Sequence, residues 1–549
     1  MTGRTKHLNK KTGVTYVYES TSYWDKEKKQ ARNKQICIGK LDPVSGEFIP
    51  SKRFSSNVKP VTLNIPETKP EVPTALPTET TKPPEPVTAT AQIVGPSMVL
   101  DSITETLDLE KVLKSCFPET FKQIMVMAYY LVVNGGPLSH CSTWCKSHAP
   151  QMAASLTSQR ISEILRAITT DKQQAFLKQW MNKVLEDDFL CYDISSISSY
   201  SELNEYIKYG YNRDKEKLPQ LNLAILFGQK GGLPAYYNRL PGNVTDVTTV
   251  HNLLKTFKAL GIKALNFVMD RGFYSKRNVD ELLAAKDKFL VGVPMNNKWL
   301  QRVVDEVHET IQGPEGYRKL EGEVLYVHTR LYPWGEKRHR CYLHVYFNAK
   351  TKAEALDDFN EDLLTYKEEL ESGNLNPKHK EAYEAFFSTK TTPIRGTKVT
   401  YNMEAIRGHI KQYTGFYALL TNSIKDPVKA LQIYRDKDIV EKSFDDLKNQ
   451  LDMKRLRVHS SNTADGRLFV QFIALICMSA LRREMRKSEL IAKYAIRELL
   501  NEMGTLTQIK YSGKYGHILT ELTKPQREIL KLLNIALPDD GIATILPGN

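Results

Sequence analysis

An α/β core flanked by smaller modules is the fold class predicted for this 549-residue sequence. Three observations predict it. The hydrophobic period changes from helical to two at residue 187. From there to about 299, apolar runs alternate between strand and helix patterns. The stretches on either side differ from this core in charge and proline content. A chain of this length also exceeds a single hydrophobic core, so several domains are expected.

The elements follow in order. Residues 1–60 hold 13 Lys and Arg against 5 Asp and Glu, so +8 of the chain's net +14 is concentrated there. A concentrated basic patch is the electrostatic footprint of a polyanion partner, most often nucleic acid. "GVTYVYESTSYW" and "KQICIGKLDPVSGEF" alternate apolar and polar residues and end in turn chemistry at Asp42-Pro43 and Ser45-Gly46. The segment reads as a small β-rich module for binding DNA ends, with a charged helix or loop, "DKEKKQARNK", between its strands. Residues 61–96 read as an extended linker. Nine of the 26 prolines fall between 60 and 96, among Thr, Glu and Lys, a composition that cannot build a core.

From 97 to 186 the period is helical, as in "LEKVLKSCF", "FKQIMVMAYYLVV" and "QRISEILRAI", the last capped by Ser158. "HCSTWCKSH" crowds Cys141, Cys145, His140 and His148 together. Structural zinc sites usually collect ligands from two separated pairs, so a buried, semi-polar helix end is expected. Seven cysteines without a regular framework suit a reducing compartment. The apolar run "FVQFIALICMSAL" (469–481) is too short for a membrane span, and "MTGRTKHLNKK" lacks the apolar core of a signal peptide. A cytoplasmic protein without membrane contact is the expectation.

In the core, "DFLCYDISSIS" reads as a strand, and "LNLAILFG" and "LPAYYNRL" as a hairpin across "QKGG". "TTVHNLLKTFKAL" is helical, "ALNFVMD" a buried strand, "KRNVDELLAAK" helical and "KFLVGVPM" a strand. The order β-β-β-α-β-α-β, with a later helix, is the ribonuclease H-like topology. Asp193 lies at the end of its first strand and Asp270 at the end of its fourth, and these strands are neighbours. Ligands collect at such strand ends. A single Asp there is usually a turn-former or cap, but two at adjacent ends point to function. Gly272 permits a tight turn after Asp270, with Ser275 as a helix cap.

Two acids hold a hard divalent ion poorly without a third. The candidate source is "IYRDKDIVEKSFDDLKNQLDMKRLRV" (433–458), read as one helix at about 100° per residue. Ile433, Val440, Phe444, Leu447 and Leu451 form its core stripe. Tyr434, Lys437, Glu441 and Lys448 fall on an adjoining stripe, and Asp446 points away. Asp445 shares the face of Glu441 but stands one turn from Lys448, with which it is expected to pair. The competing reading is salt-bridge patterning on a solvated face.

These residues carry a resemblance. Tyr434, Lys437, Glu441 and Lys448 match the spacing of the Y-x2-R-x3-E-x6-K signature in the DDE transposases of bacterial insertion sequences. "YDISSIS" and "DRGFYS" are similar to that family's first and second aspartate blocks, and "LPAYYNRLPGNVTD" to its hairpin strand and Gly-Asn-x-x-Asp turn. Lys437 stands in the Arg place, keeping a cation but losing the bidentate fork. The resemblance covers about 100 to 500 and is strongest at 187–295 and 410–480.

It implies a catalytic core in two parts, 187–299 and 411–500, around a β-rich insertion at 300–410, with a helical tail at 501–549. "VLYVHTRLY" and "RCYLHVYFNAK" fit the insertion as a hairpin across "PWGEKRH". It further implies that Asp193, Asp270 and Glu441 are catalytic and hold two Mg²⁺ ions, with Mn²⁺ substituting. Tyr434, Lys437, Lys448 and Arg271 would contact DNA, and Trp334 is a candidate to hold a flipped base. The partners implied are double-stranded DNA, as terminal inverted repeats and target, and a second copy of the chain. Two other readings stay open: a structure-selective nuclease that cuts without joining, and a catalytically silent DNA-binding descendant. Terminal inverted repeats around the gene, and strand joining of a pre-cut end, discriminate among them.

Overall fold

The computed structural model describes residues 2–8, 15–25, 30–41, 48–50, 88–148, 156–185, 189–200, 204–262, 265–392, 396–409, 413–456, 460–512 and 517–536. The chain divides into two units, Met1–Glu85 and Pro86–Asn549.

The first unit is a four-stranded antiparallel sheet in the order β1 (Thr2–Leu8), β2 (Thr15–Asp25), β3 (Gln30–Leu41) and β4 (Phe48–Pro50). Runs such as "TYVYESTSYW" are rich in β-branched and aromatic residues, which suit a pleated surface. Of the charged stretch expected as a helix or loop, Asp25 closes β2 and Gln30–Lys34 open β3, while residues 26–29 lie outside the described residues. The turns expected at 42–46 and most of the linker lie outside the described residues. The linker's last residues are structured, because "ATAQI" forms β5 (Ala89–Ile93).

In the second unit, six helices follow: α1 (Gly95–Thr106), α2 (Leu109–Cys116), α3 (Phe121–Val133), α4 (Cys141–Ser147), α5 (Ser158–Ala167) and α6 (Thr170–Val184). Thr157, not Ser158, caps α5, accepting from the Arg160 backbone N–H at 3.2 Å. Cys141 and Trp144 of α4 are buried.

The core then runs β6 (Phe189–Ser199), β7 (Gln220–Gly228), β8 (Leu233–Pro241), α7 (Asp246–Leu260), β9 (Asn266–Met269), α8 (Lys276–Ala285) and β10 (Lys288–Val293). After α9 (Lys298–Val307) come β11 (Tyr317–Leu320), β12 (Glu323–Trp334) and β13 (His339–Phe347). Next are α10 (Ala349–Ser372), α11 (Lys380–Phe386), β14 (Phe387–Thr392), β15 (Gly396–Tyr401), α12 (Met403–His409) and β16 (Phe416–Thr421). The remainder comprises α13 (Pro427–Arg435), α14 (Asp438–Asp445), β17 (Arg455–Leu456), α15 (Ser461–Lys487), α16 (Ile496–Met503), β18 (Thr507–Tyr511), β19 (His517–Leu519) and α17 (Lys524–Leu532).

Within the large sheet the core strands lie in the order β8-β7-β6-β9-β10, with β6, β9 and β10 parallel and β7 antiparallel to both its neighbours. That is the expected ribonuclease H-like arrangement. The expected insertion differs in one respect. Its strands divide: β14 and β15 pair as a separate two-stranded sheet, whereas β16 pairs with β10 on one edge and with β13 on the other, so β11, β12 and β13 extend the core sheet. Only the lobe of α10, α11, α12, β14 and β15 has a core of its own, around Leu363, Phe387, Val399 and Ile406. The tail expected to be helical also contains strands, since β18 pairs with both β19 and β5.

Helix α15 is the hydrophobic centre. It is the one helix among the described residues long and apolar enough to cross a membrane, and its apolar window is wholly buried within the fold. Against it stand α3, α5 and β8. Arg482 on α15 holds both carboxylate oxygens of Asp446, a buried residue. Removing one partner of a buried ion pair leaves the other charge uncompensated. Asp446→Ala should therefore lower unfolding stability by about 3 kcal/mol in urea denaturation. The exposed neighbour Asp445, changed to Ala, should shift the midpoint little, within about 0.5 kcal/mol.

Candidate functional site

Backbone register builds the site. Tyr192 of β6 pairs with Met269 of β9 in parallel, so Asp193 and Asp270 each follow directly after a paired residue. Adjacent strands lie about 4.8 Å apart, which sets the two carboxylates side by side. Beyond Tyr192, β6 has no partner strand on that side until β17 joins at Ser198. Helix α14 packs against β6 there, burying Val440 and Phe444.

The two acids sit in different fields. Burial pushes Asp193 up to about 6, against the opposing pull of the Ile194 backbone N–H, Lys437 and Arg213, and Asp270 raises it further. Burial also raises Asp270, but the Tyr434 hydroxyl, the Arg271 backbone N–H and the charges of Lys437 and Arg271 together hold it below the usual carboxylate range. The Tyr434 hydroxyl donates to Asp270 Oδ1 at 2.6 Å. That approach depends on Gly292 in β10, because a Cβ there would stand 2.7 Å from the Tyr434 hydroxyl and 3.1 Å from the Arg271 nitrogen. Sequence reading missed Gly292. Its signal was a glycine inside a strand pattern, which marks a close approach.

The segment expected as one helix over 433–458 comprises the end of α13, α14, a π-helical turn at Asp446–Gln450 and the strand β17. The predicted core stripe holds, with Ile433, Val440, Phe444, Leu447 and Leu451 all buried. Asp446, at the start of the π turn, is buried and pairs with Arg482 of α15, not with any residue of the Glu441 stripe. Lys448 pairs not with Asp445 but with Asp214, its ammonium donating to both carboxylate oxygens at 2.8 and 2.7 Å. Asp445 instead accepts from Asn449.

Glu441 is exposed on α14 and accepts from Lys437 at 2.9 Å. Burial lowers the pKa of Lys437, but Glu441, Asp270 and Asp193 raise it above the ordinary value. A single ammonium thus lies in the field of all three predicted acids. It also stands 5.7 Å from the centre of the Tyr434 ring. Asp193 and Asp270 are brought together, while Glu441 is held one ion pair away. Among the described residues, no three His, Cys, Asp or Glu side chains form a ready metal cluster. Beside Asp270, Arg271, Gly292, Tyr434 and Lys437 line a cleft of about 370 Å³.

Trp334 is not presented at a hairpin tip. It is the last residue of β12, 5% exposed, and its indole N–H donates to Asp280 Oδ1 at 2.7 Å. Packing against Tyr274 and Trp299 accounts for that burial. Arg271 is exposed, and Arg435, off the signature spacing, pairs with Glu323. Arg213 was not singled out from sequence. It holds Asp246, the acid of the Gly-Asn-x-x-Asp turn, at 2.6 and 2.7 Å.

Paired aspartates on neighbouring central strands, with a later helix packed beside them, place the chain in the ribonuclease H-like class. Within that class, the family described as transposase DDE domain matches residues 185–477, more than half of the chain. The chain belongs to this family. Of solved structures, it is similar to piggyBac transposase in a cryo-EM synaptic complex with hairpin DNA, at 10% identity and a TM-score of 0.35. That alignment covers 82% of this chain and 77% of the other, and the likeness is too distant to bear on function. No curated protein matches the chain in sequence.

Tyr434→Phe should raise the Asp270 pKa, because a hydrogen bond to the carboxylate form is lost. Carboxyl NMR titration of the labelled protein checks the direction. Gly292→Ala should raise it likewise by displacing the same hydroxyl.

Proposed function

We propose that the chain is the transposase of a bacterial insertion sequence, cutting the ends of its own element and joining them to target DNA. The observation that carries this reading is the in-register pair Asp193 and Asp270, with Lys437 linking their field to Glu441. The three acids would be the catalytic, metal-holding set. Carboxylate oxygens are hard donors suited to magnesium, or to manganese in its place. The cleft accepts positive charge, since Lys437 keeps its proton there despite burial. When bound, a pair of Mg²⁺ ions supplies Lewis acidity and an activated oxygen nucleophile for phosphoryl transfer.

The chain's own residues do the rest by position and charge. Tyr434 fixes the rotamer of Asp270 and keeps that carboxylate ionised. Lys437 holds Glu441 at the mouth of the cleft, and releasing it would complete the acidic set. Arg271 and Lys437 are placed to contact a phosphate strand beside Asp270. Lys448 fastens the strand-connecting loop through Asp214, and it is a candidate phosphate contact as well. The basic sheet of residues 1–60 would bind the element's ends, and two copies of the chain would bridge two ends.

Asp193→Asn and Asp270→Asn should each abolish Mg²⁺-dependent cleavage while leaving end binding nearly intact. Substantial cleavage by either would sink the assignment. Glu441→Ala should eliminate cleavage and joining, whereas Asp445→Ala should leave measurable activity. An active Glu441→Ala beside a dead Asp445→Ala would move the third acid along the helix. Deleting residues 1–60 should weaken end binding and flatten its salt dependence, read as the slope of log affinity against log salt.

A further inference from the structure

Between Tyr200 and β7, residues 204–219 include Arg213, which lies in the field of Asp193. Their backbone is pinned. Lys208 and Gln220 exchange backbone hydrogen bonds at 2.9 and 3.0 Å, and the Gln220 amide donates to the Tyr211 carbonyl at 2.8 Å. Gly210 is pressed against Gly242 so closely that a Cβ would meet the Gly242 carbonyl oxygen at 2.0 Å. Lys448 holds Asp214, and Arg455 holds Glu216. Yet Tyr209 and Tyr211, flanking the pinned glycine, are 75% and 84% exposed. Of the four strongly exposed aromatic side chains among the described residues, three lie here, the third being Tyr200.

Rings held on a fixed backbone gain nothing from folding when left in water, and they lose little entropy when something stacks on them. The charge around them selects the partner. Lys208, Lys215 and Lys217 are exposed, with no ion pair among the described residues, whereas Asp214 and Glu216 are neutralised and Glu205 is the one exposed acid left among the described residues of the loop. Arg213, in the same loop, contributes to the field on Asp193. Aromatic faces interleaved with cations suit unpaired bases, each presenting a π-face above a phosphate backbone. We propose that Tyr209 and Tyr211 form a stacking platform for unpaired DNA bases on the loop whose Arg213 acts on Asp193. The proposal rests on the transposase reading and adds to it the form of DNA held there: a strand parted from its complement.

The test uses the full chain and two probes: an oligothymidylate of about 15 nucleotides and a duplex of the same length. The Tyr209→Ala/Tyr211→Ala variant should bind oligothymidylate at least tenfold more weakly by fluorescence anisotropy, with duplex affinity within about twofold. The Tyr209→Phe/Tyr211→Phe variant keeps the rings and should bind like the parent. Unchanged oligothymidylate affinity in the alanine variant overturns the platform, as does an equal loss on both probes. A change only in the sedimentation of the DNA-free protein overturns it too, in favour of a contact between copies. A parent protein that binds neither probe overturns the transposase reading along with it. A parent that binds both, beside an unaffected alanine variant, overturns the platform alone.

Discussion

Two carboxylates carried side by side on neighbouring parallel strands repel one another, and burial sharpens the repulsion. The rest of the site can be understood as a response to that constraint. Tyr434 and the Arg271 backbone stabilise one acid as its anion, whereas the other is pushed toward neutrality. Lys437 supplies a cation whose charge all three acids share. Gly292 removes the one side chain that would keep Tyr434 from its partner. The notch in β6 between β9 and β17 then seats the helix that brings Lys437 in. A site arranged in this way favours added positive charge.

Much of this was legible in the sequence because the relevant signals are local. Period-two apolar runs leading into Asp193 and Asp270 gave strand identity, and the order of elements made those strands neighbours. Asp270 does follow its strand, whereas β6 continues past Asp193 to Ser199 because β7 still pairs with it there. The buried stripe from Ile433 to Leu451 followed from helical spacing. What was not legible depended on contacts between distant segments. Asp446 is buried against Arg482 on another helix, and spacing within one helix cannot encode that partner. Lys448 reaches Asp214 from more than two hundred residues away, so the nearer Asp445 was the wrong partner to expect. Trp334 has the composition of an exposed hairpin tip, but its burial is decided by Asp280, Tyr274 and Trp299. The insertion's strands alternate as strands in any sheet do, so their sequence could not say which sheet they would join.

The loop after β6 shows the same division of labour in another form. Asp214 and Glu216 are spent on Lys448 and Arg455, and Gly210 on a contact with Gly242. The rigid frame therefore comes from residues that face the protein, while Tyr209, Tyr211 and three lysines face solvent. Such a frame also ties this loop to the Glu441-bearing segment, since Lys448 and Arg455 both lie just beyond α14.

The shared strand β16 has a consequence for how the molecule is made. It closes the edge of β10 only after the chain has run from Val293 through β11, β12, β13 and the helical lobe to Phe416. Asp193 and Asp270 can assemble from an early, nearly local stretch, whereas Tyr434, Lys437 and Glu441 arrive after that long excursion. Contacts so far apart in sequence close late and slowly. During that interval β10 presents an unpaired edge, the kind of surface that recruits a neighbouring chain. The acidic cleft is therefore completed only when the sheet is, so a chain that has not finished folding carries its aspartates without the tyrosine and lysine that tune them.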